Sequence, residues 1–164
     1  MRTSTLIIAL FIGFITNSVT AQDTIWFDKN WHETTKGDHE YYRPAPKRMN
    51  NGFWIVDYYK NGQIQMEGFS TVNIPNEEVF DGLVLYYHEN GKPFHRANYK
   101  KGKLHGIRKV YYESGELKEE GKYEEGERVG IWKTFYKNGK IETKGKYRDN
   151  EKVGVWKTFY KNVY

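Results

Sequence analysis

Residues 130–138 read GIWKTFYKN and residues 154–162 read GVWKTFYKN, so one segment recurs with a single conservative change. Two series of glycines carry the same pattern outward along the chain. Both series keep a step of 24 residues: Gly82, Gly106, Gly130 and Gly154 form the first, and Gly91, Gly115 and Gly139 form the second. A fixed period of this length is the signature of a repeat protein, in which each unit packs against its neighbours.

The turn residues predict that each repeat is a β-hairpin. Asn61-Gly62, Asn90-Gly91 and Asn138-Gly139 are pairs that suit a two-residue type I′ turn, and Ser114-Gly115 holds the same place. The flanking residues alternate and are rich in aromatic and β-branched types, as strands are. No segment keeps a helical period. The sequence therefore predicts an all-β fold: an elongated single-sheet array of stacked antiparallel β-hairpin repeats.

Closing the hairpin at Asn138-Gly139 predicts its strand register. The expected pairs are Tyr136 with Ile141, Thr134 with Thr143, and Trp132 with Gly145. In the last pair the indole ring would lie across a bare glycine, and this side of the hairpin would be the packed one. The structural residues of the repeat are then the two glycine series together with Trp132, Gly145 and Trp156.

The first residues have the features of a signal peptide. Arg2 supplies a positive start, an apolar run covers residues 6–15, and Val19-Thr20-Ala21 fits a cleavage site. The apolar run is shorter than the roughly 20 residues that a membrane-spanning helix needs. We therefore expect residues 1–21 to be removed before Gln22, and the mature chain to be periplasmic or extracellular.

Two regions follow the expected signal peptide. Residues 22–51 lack the repeat and are predicted to be a lead-in or capping segment. Residues 52–164 are predicted to be the array, with four copies and a terminal half copy. The first copy is longer than the others, and its insertion falls within residues 70–78. The half copy would leave an open edge strand, through which a second chain could pair.

Composition argues against an enzyme. The chain has no cysteine, which excludes disulfides, thiolate metal sites and thiol catalysis. After residue 21 the only serines are Ser70 and Ser114, and neither lies in a nucleophile motif. The expected export argues against a nucleic-acid partner, and the formal net charge of +5 is a weak excess for electrostatic docking to an anionic surface. We expect no catalytic residues, no cofactor and no nucleic-acid partner.

Paired aromatic residues supply the candidate binding surface. One ladder is expected on the packed face: Tyr59, Tyr112, Tyr136 and Tyr160, with His88 in the same series. The neighbouring ladder would face the other way, rimmed by cations, as in a binding strip. The predicted partner-binding residues are Tyr58, Tyr87, Tyr111, Lys133, Phe135, Lys137, Lys157 and Phe159. The alternative is that both ladders only stabilise a thin sheet.

A metal site is a second alternative for the packed face. His88 and His95 would be diagonal neighbours on one hairpin, and Glu119 holds the place of His95 in the next. Two imidazoles and a carboxylate could bind Zn²⁺, although the spacing matches no ligand motif. Ordinary packing at these positions is the competing interpretation, and no metal site is predicted.

The pattern resembles the MORN repeat variant of bacterial proteins, including the YwqK-type antitoxin family. The residues that carry the resemblance are Gly130, Trp132, Phe135-Tyr136, Asn138-Gly139, Gly145 and Tyr147. The preceding stretch with Trp26, Phe27-Asp28, Trp31 and Tyr41–Pro44 also looks like the lead-in of secreted members from Bacteroidetes-type bacteria. The resemblance implies a hairpin array used for binding, without chemistry.

These observations predict an exported, non-catalytic protein–protein interaction module of the cell envelope. One alternative is attachment to an anionic envelope surface, either lipid headgroups or acidic polysaccharide. A steep fall of binding with added salt would indicate this alternative. Another is an antitoxin-like or immunity-like role against a periplasmic protein. Self-association through the open edge strand is a third expectation.

Overall fold

The computed structural model describes residues 23–160, and within them twelve strands form one open antiparallel sheet. Nine strands belong to the repeats, and they lie in the sheet in chain order. The strands are β1 (Ile25–Phe27), β2 (Tyr41–Arg43), β3 (Lys47–Met49), β4 (Gly52–Tyr59), β5 (Ile64–Ser70), β6 (Phe80–Tyr87), β7 (Pro93–Lys100), β8 (Lys103–Tyr111), β9 (Leu117–Glu124), β10 (Glu127–Phe135), β11 (Ile141–Arg148) and β12 (Glu151–Thr158). The predicted all-β hairpin array is confirmed.

The insertion in the first repeat forms the connection between β5 and β6, at residues 71–79, close to its predicted place. The predicted signal peptide, residues 1–21, lies outside the described residues. The last four residues of the predicted half copy, 161–164, also lie outside them.

One row of side chains runs across the strands and defines the packed face. In β4 to β9 it consists of Ile55, Gly68, Val84, Ala97, Arg108 and Gly121, each paired with the next. Trp132 and Gly145 continue the row as a pair in β10 and β11, as predicted. Large and small residues alternate, because side chains on neighbouring strands are only about 4.8 Å apart.

Trp132 pairs with Gly145 across the strands, but the prediction that its ring covers Gly145 is wrong. The ring of Trp132 leans over Gly121 on the preceding strand, where an added Cβ would lie 2.1 Å from its Cδ2 atom. Trp156 covers Gly145 in the same way, also at 2.1 Å. Each indole therefore packs backward onto the previous hairpin, which binds neighbouring repeats together.

The turns at the Asn-Gly pairs differ from the predicted type I′. The backbone N–H of Gly139 donates to the carbonyl of Tyr136 at 2.8 Å, and the backbone N–H of Tyr136 donates to the carbonyl of Lys140 at 2.9 Å. Only the glycine has positive φ, at 79°. The connection is therefore a three-residue loop with a type I turn and a bulge at the glycine. The Asn138 side chain accepts from the Lys140 N–H at 3.1 Å, which fixes this turn.

The bulge at Gly139 changes the predicted register at the hairpin tip, and a second irregularity between Thr134 and Phe135 restores it further along the strands. Thr134 pairs with Thr143 as expected, but Ile141 pairs with Phe135 and not with Tyr136. Ile141 therefore lies on the face opposite to Trp132. Type I′ geometry, with positive φ at both central residues, occurs at the other ends of the hairpins: Lys101-Gly102, Glu125-Gly126 and Asp149-Asn150.

The N-terminal segment closes the first edge of the array. β2 pairs with β4 at Tyr58 and Tyr59, and β3 pairs with the other end of β4. Arg43, 3% exposed, reaches Asp57 on β4 at 2.6 Å and Glu78 from the insertion at 2.5 Å. At the opposite end, the outer edge of β12 has no partner strand among residues 23–160.

Candidate interaction surface

The face opposite to the packed one, which we call the open face, carries an exposed aliphatic row. Its members are Leu83, Ile107, Ile131 and Val155, with exposed fractions of 37%, 50%, 51% and 79%. Each follows a repeat glycine of positive φ, so the row recurs with the 24-residue period. Sequence reasoning placed Ile131 on this face but missed the row, although the aliphatic residue after each glycine was a visible signal.

A charged row lies beside the aliphatic row, two residues further along each strand. From β7 to β12 its members pair in the order Arg96, Lys109, Glu120, Lys133, Lys144 and Lys157. Glu120 is the only acidic residue among these six. Its carboxylate lies 2.9 Å from the ammonium of Lys133 and 3.8 Å from that of Lys109, so it neutralises the middle of the row.

The C-terminal end of the charged row has no such compensation. Lys133, Lys144 and Lys157 lie directly opposite one another on three adjacent strands. Within the described part of the chain, Lys144 and Lys157 form no ion pair. Like charges opposite each other destabilise a sheet, by a few tenths to about 1 kcal/mol a pair. This local cost to folding is typical of a residue set kept for binding.

A hollow of about 470 Å³ lies at this end of the open face. Its apolar lining comes from Ile131, Val153 and Val155. Its cationic lining comes from Lys144, Lys146, Arg148 and Lys157. The hollow therefore suits a group that combines aliphatic surface with negative charge.

The predicted aromatic ladder flanks the charged row on its other side. Four of its members pair with Ile64, Pro93, Leu117 and Ile141, and these four are Tyr58, Tyr87, Tyr111 and Phe135. All four are half-buried, whereas Phe159 is 43% exposed. Burial, and a 2.7 Å hydrogen bond to Glu67, raise the pKa of Tyr87 to about 12. The exposed fraction of each of these four half-buried residues is therefore smaller than that of any member of the aliphatic row.

Lys137 stands apart from the other predicted binding residues. It lies in the turn after β10, and its ammonium approaches the ring of Tyr112 at 5.8 Å. Tyr112 belongs to the other ladder, which the prediction assigned to the packed face. The other predicted binding residues are spread along the open face from β4 to the end of β12, and Lys137 lies at a hairpin tip. They are Tyr58, Tyr87, Tyr111, Lys133, Phe135, Lys157 and Phe159.

The other ladder links successive hairpin tips. The hydroxyl of Tyr59 donates to the carbonyl of Tyr87 at 2.7 Å. Tyr112 donates in the same way to Phe135 at 2.7 Å, and Tyr136 donates to Phe159 at 2.8 Å. Each bond satisfies a carbonyl of the next repeat, so this ladder has a structural role. Tyr160, which is 84% exposed, ends the series.

The residues considered for a metal site have other partners. Glu119 forms an ion pair with Arg108 at 3.1 Å. His95 stacks on Tyr86 with ring centroids 4.1 Å apart, and burial, with a smaller effect of Arg108, lowers its pKa to about 4. His88 lies with Nε2 3.4 Å from the carbonyl of Tyr111. In residues 23–160 no three His, Asp or Glu side chains are grouped for a metal.

Comparison with known families agrees with this geometry. Residues 80–101, 104–125 and 128–149 match the MORN repeat variant. Each matched segment holds one hairpin: β6–β7, β8–β9 and β10–β11. Three tandem segments of the chain therefore match this repeat, and proteins built from MORN repeats are in general non-catalytic binding modules. No curated protein matches the chain. Between residues 23 and 160 no helix could cross a membrane.

Proposed function

We propose that the protein is an exported, non-catalytic module that binds a protein partner of the cell envelope through the open face. The observation that carries the proposal is the adjacency of two surfaces that folding alone does not favour. One is the exposed aliphatic row, with Ile131 and Val155 more than half exposed. The other is the set of adjacent lysines at positions 133, 144 and 157, which repel one another. Within the described sheet, Lys144 and Lys157 have no ion pair that offsets this repulsion.

The combination favours a protein over a purely anionic surface. A partner that offered charge alone would leave Leu83, Ile107, Ile131 and Val155 exposed, whereas a partner with apolar and acidic side chains would cover both rows. Export is supported by the signal-like residues 1–21. The YwqK-type resemblance supports an antitoxin-like or immunity-like form of this binding, with a periplasmic protein as the target.

Attachment to anionic lipid headgroups or acidic polysaccharide is the second candidate function. The four cations around the hollow favour it, since each basic residue near an anionic membrane contributes about 1 kcal/mol. The two functions differ in their response to salt, because electrostatic attachment is screened whereas apolar contact is not.

An affinity capture from envelope extract tests the proposal. The bait is residues 22–164, which include every described strand, and the matched baits are I131N/V155N on the open face and Lys29→Glu, a charge reversal in the turn after β1. We expect one enriched protein that survives moderate salt and is lost with I131N/V155N but retained with Lys29→Glu. Recovery of only lipid or glycan, eluted by salt, would contradict protein binding and favour surface attachment.

A further inference from the structure

The repeat distance on the open face matches an α-helix. We propose that the partner docks by an acidic amphipathic helix that lies along the array, across the strands, with its apolar stripe on the aliphatic row and its carboxylates on the adjacent lysines. This inference rests on the proposed function and specifies the part of the partner that binds.

The spacing of the aliphatic row supports a helix. Its members come from every second strand, and strands lie about 4.8 Å apart, so successive members are about 9.6 Å apart. Seven residues of α-helix advance about 10.5 Å at 1.5 Å per residue. Over the three steps from Leu83 to Val155 the mismatch grows to only about 3 Å. A helix with an apolar residue once per heptad therefore stays in register along the whole row.

A peptide in the β-strand conformation fits this row poorly. Its side chains on one face repeat every two residues, about 6.6 Å, so it would lose register with the aliphatic row after a single step. A strand could instead pair with the edge of β12, but such a strand would not cross the open face. The spacing of the aliphatic row thus matches an α-helix better than a β-strand.

The charged row fixes the composition of the helix. Lys133 and Lys157 lie two residues along their strands from Ile131 and Val155, about 6.7 Å away. This offset is close to the radius of a helix with its side chains, about 5–6 Å. Lys146 pairs with Ile131 and fills the gap between aliphatic residues. Carboxylates beside the apolar stripe would therefore meet cations at several points.

The strongest part of the site is predicted to be the C-terminal three strands. Towards the N-terminal side Glu120 already neutralises Lys109 and Lys133, and in β6 and β5 the charged row holds Leu85 and Glu67. The cations that line the hollow lie on β11 and β12, and they form no ion pair among residues 23–160. An aliphatic anchor of the helix would fill the hollow while its neighbouring acids pair with Lys144 and Lys157.

Designed peptides test the inference directly. The probe is a three-heptad helical peptide with Leu on one stripe and Glu on both flanks. The first control peptide keeps the Leu stripe and replaces Glu by Lys, and the second keeps the composition but has a central proline that breaks the helix. We expect residues 22–164 to bind the acidic helix at least tenfold more tightly than either control, measured by fluorescence anisotropy at physiological salt.

Protein variants locate the binding. K144E/K157E is expected to weaken binding of the acidic helix at least tenfold, and Lys29→Glu is expected to leave it unchanged. In K144E/K157E two carboxylates take the places of two ammonium groups that already lie opposite each other, so the like-charge repulsion stays similar and the sheet should remain folded. Circular dichroism with thermal unfolding checks this. If K144E/K157E were unfolded, Ile131→Asn, which leaves all cations in place, would be used and should weaken binding of both the Glu-flanked and Lys-flanked peptides.

The outcomes separate this inference from the proposed function. Equal binding of the helical and proline-broken peptides, or no effect of K144E/K157E, would overturn the helix. Failure of all peptides together with salt-resistant capture of an envelope protein would overturn the helix but leave protein binding intact. Failure of all peptides together with lysine-dependent binding to vesicles rich in phosphatidylglycerol would overturn both.

Discussion

At the scale of single residues, the packed face depends on the alternation of indole rings and glycines. Trp132 contacts Tyr123 and Tyr147 edge to face, with ring centroids 5.3 and 5.5 Å apart. The guanidinium of Arg128 lies 4.7 Å from the ring centroid of Trp132, which adds a cation–π contact. The ring can occupy this place only because Gly121 beneath it has no Cβ. A glycine here is required by packing, since its φ is not positive.

Gly121→Ala is therefore expected to lower the free energy of unfolding by about 1–3 kcal/mol, the usual cost of overpacking. The added methyl would displace the Trp132 ring, so the change should appear in tryptophan fluorescence as well as in urea denaturation. Gly37→Ala is the matched control, because its Cβ would meet only the Thr35 hydroxyl at 3.7 Å. Equal stability of the two variants would show that the indole does not cover Gly121.

His95 is expected to make stability depend on pH. Burial lowers its pKa from 6.5 to about 4, so between these values the unfolded chain binds a proton that the folded chain does not. The stability that the fold gains from keeping His95 neutral is therefore fully present above pH 6.5, and it is lost as the pH falls from 6.5 towards 4. Thermal unfolding of the parent and of His95→Gln between pH 7 and 4 checks this, and the variant should lose less stability. Parallel curves would contradict a buried, neutral His95.

At the scale of the hairpin, the two ends of each unit use different turns. The Asn-Gly tips have a type I turn with a bulge, and their asparagines also reach the next tip: the Asn90 amide donates to the carbonyl of Glu113 at 3.1 Å. The opposite ends are type I′ turns that begin with Lys101, Glu125 or Asp149 at φ of 49–50°. Positive φ is unfavourable for residues such as lysine and glutamate, so these turns are suboptimal.

Lys101→Asn should therefore stabilise the protein by roughly 0.5–1 kcal/mol, because asparagine tolerates the left-handed region and Asn-Gly is the preferred type I′ pair. Urea denaturation measures the gain. Lys60→Asn is the control, since this residue also lies at a hairpin turn but does not have positive φ. A gain from Lys60→Asn as large as that from Lys101→Asn would contradict the turn assignment.

Gly139→Val tests the other turn. Gly139 has φ of 79°, and a β-branched residue there should cost about 1–2 kcal/mol or more. Gly139→Asn should cost less, because asparagine adopts this conformation more readily. The difference between the two variants, measured by thermal unfolding, isolates the backbone effect. If valine and asparagine were equally tolerated, the glycine bulge would be wrong.

At the scale of the whole molecule, the sequence predicts what is local and periodic. The hairpins, the Trp132–Gly145 pair and the sidedness of the two ladders follow from a two-residue alternation and a 24-residue period. The turn type did not follow, because Asn-Gly suits both a two-residue and a three-residue loop. The Arg43–Asp57–Glu78 cluster joins residues 14 and 35 positions apart, and no local pattern links them. The aliphatic row was visible, but its exposure depends on neighbouring strands.

The array is also asymmetric, and this gives its ends different stabilities. At the first edge Arg43 is buried between two carboxylates. Burial alone would lower its pKa, but the hydrogen bonds that the guanidinium donates to Asp57 and Glu78 raise the pKa, so the group stays charged. Ile55, Ser70 and Val84, on β4, β5 and β6, are fully buried. At the last edge, β12 is paired on one side only within the described residues, and six of its eight residues are exposed.

Amide hydrogen exchange should show this asymmetry. In a repeat array each unit is stabilised mainly by its neighbours, so opening should begin at β12 and reach β4 to β6 last. Arg43→Met leaves two buried carboxylates without a partner, a loss of about 3–5 kcal/mol, and should speed exchange in β1 to β5 far more than in β9 to β12. Lys47→Met, an exposed change on β3, is the control. If Arg43→Met raised exchange equally in every strand, the sheet would be unfolding as one cooperative unit. Binding on β10 to β12 would then stabilise the whole sheet and could not protect the β12 edge alone.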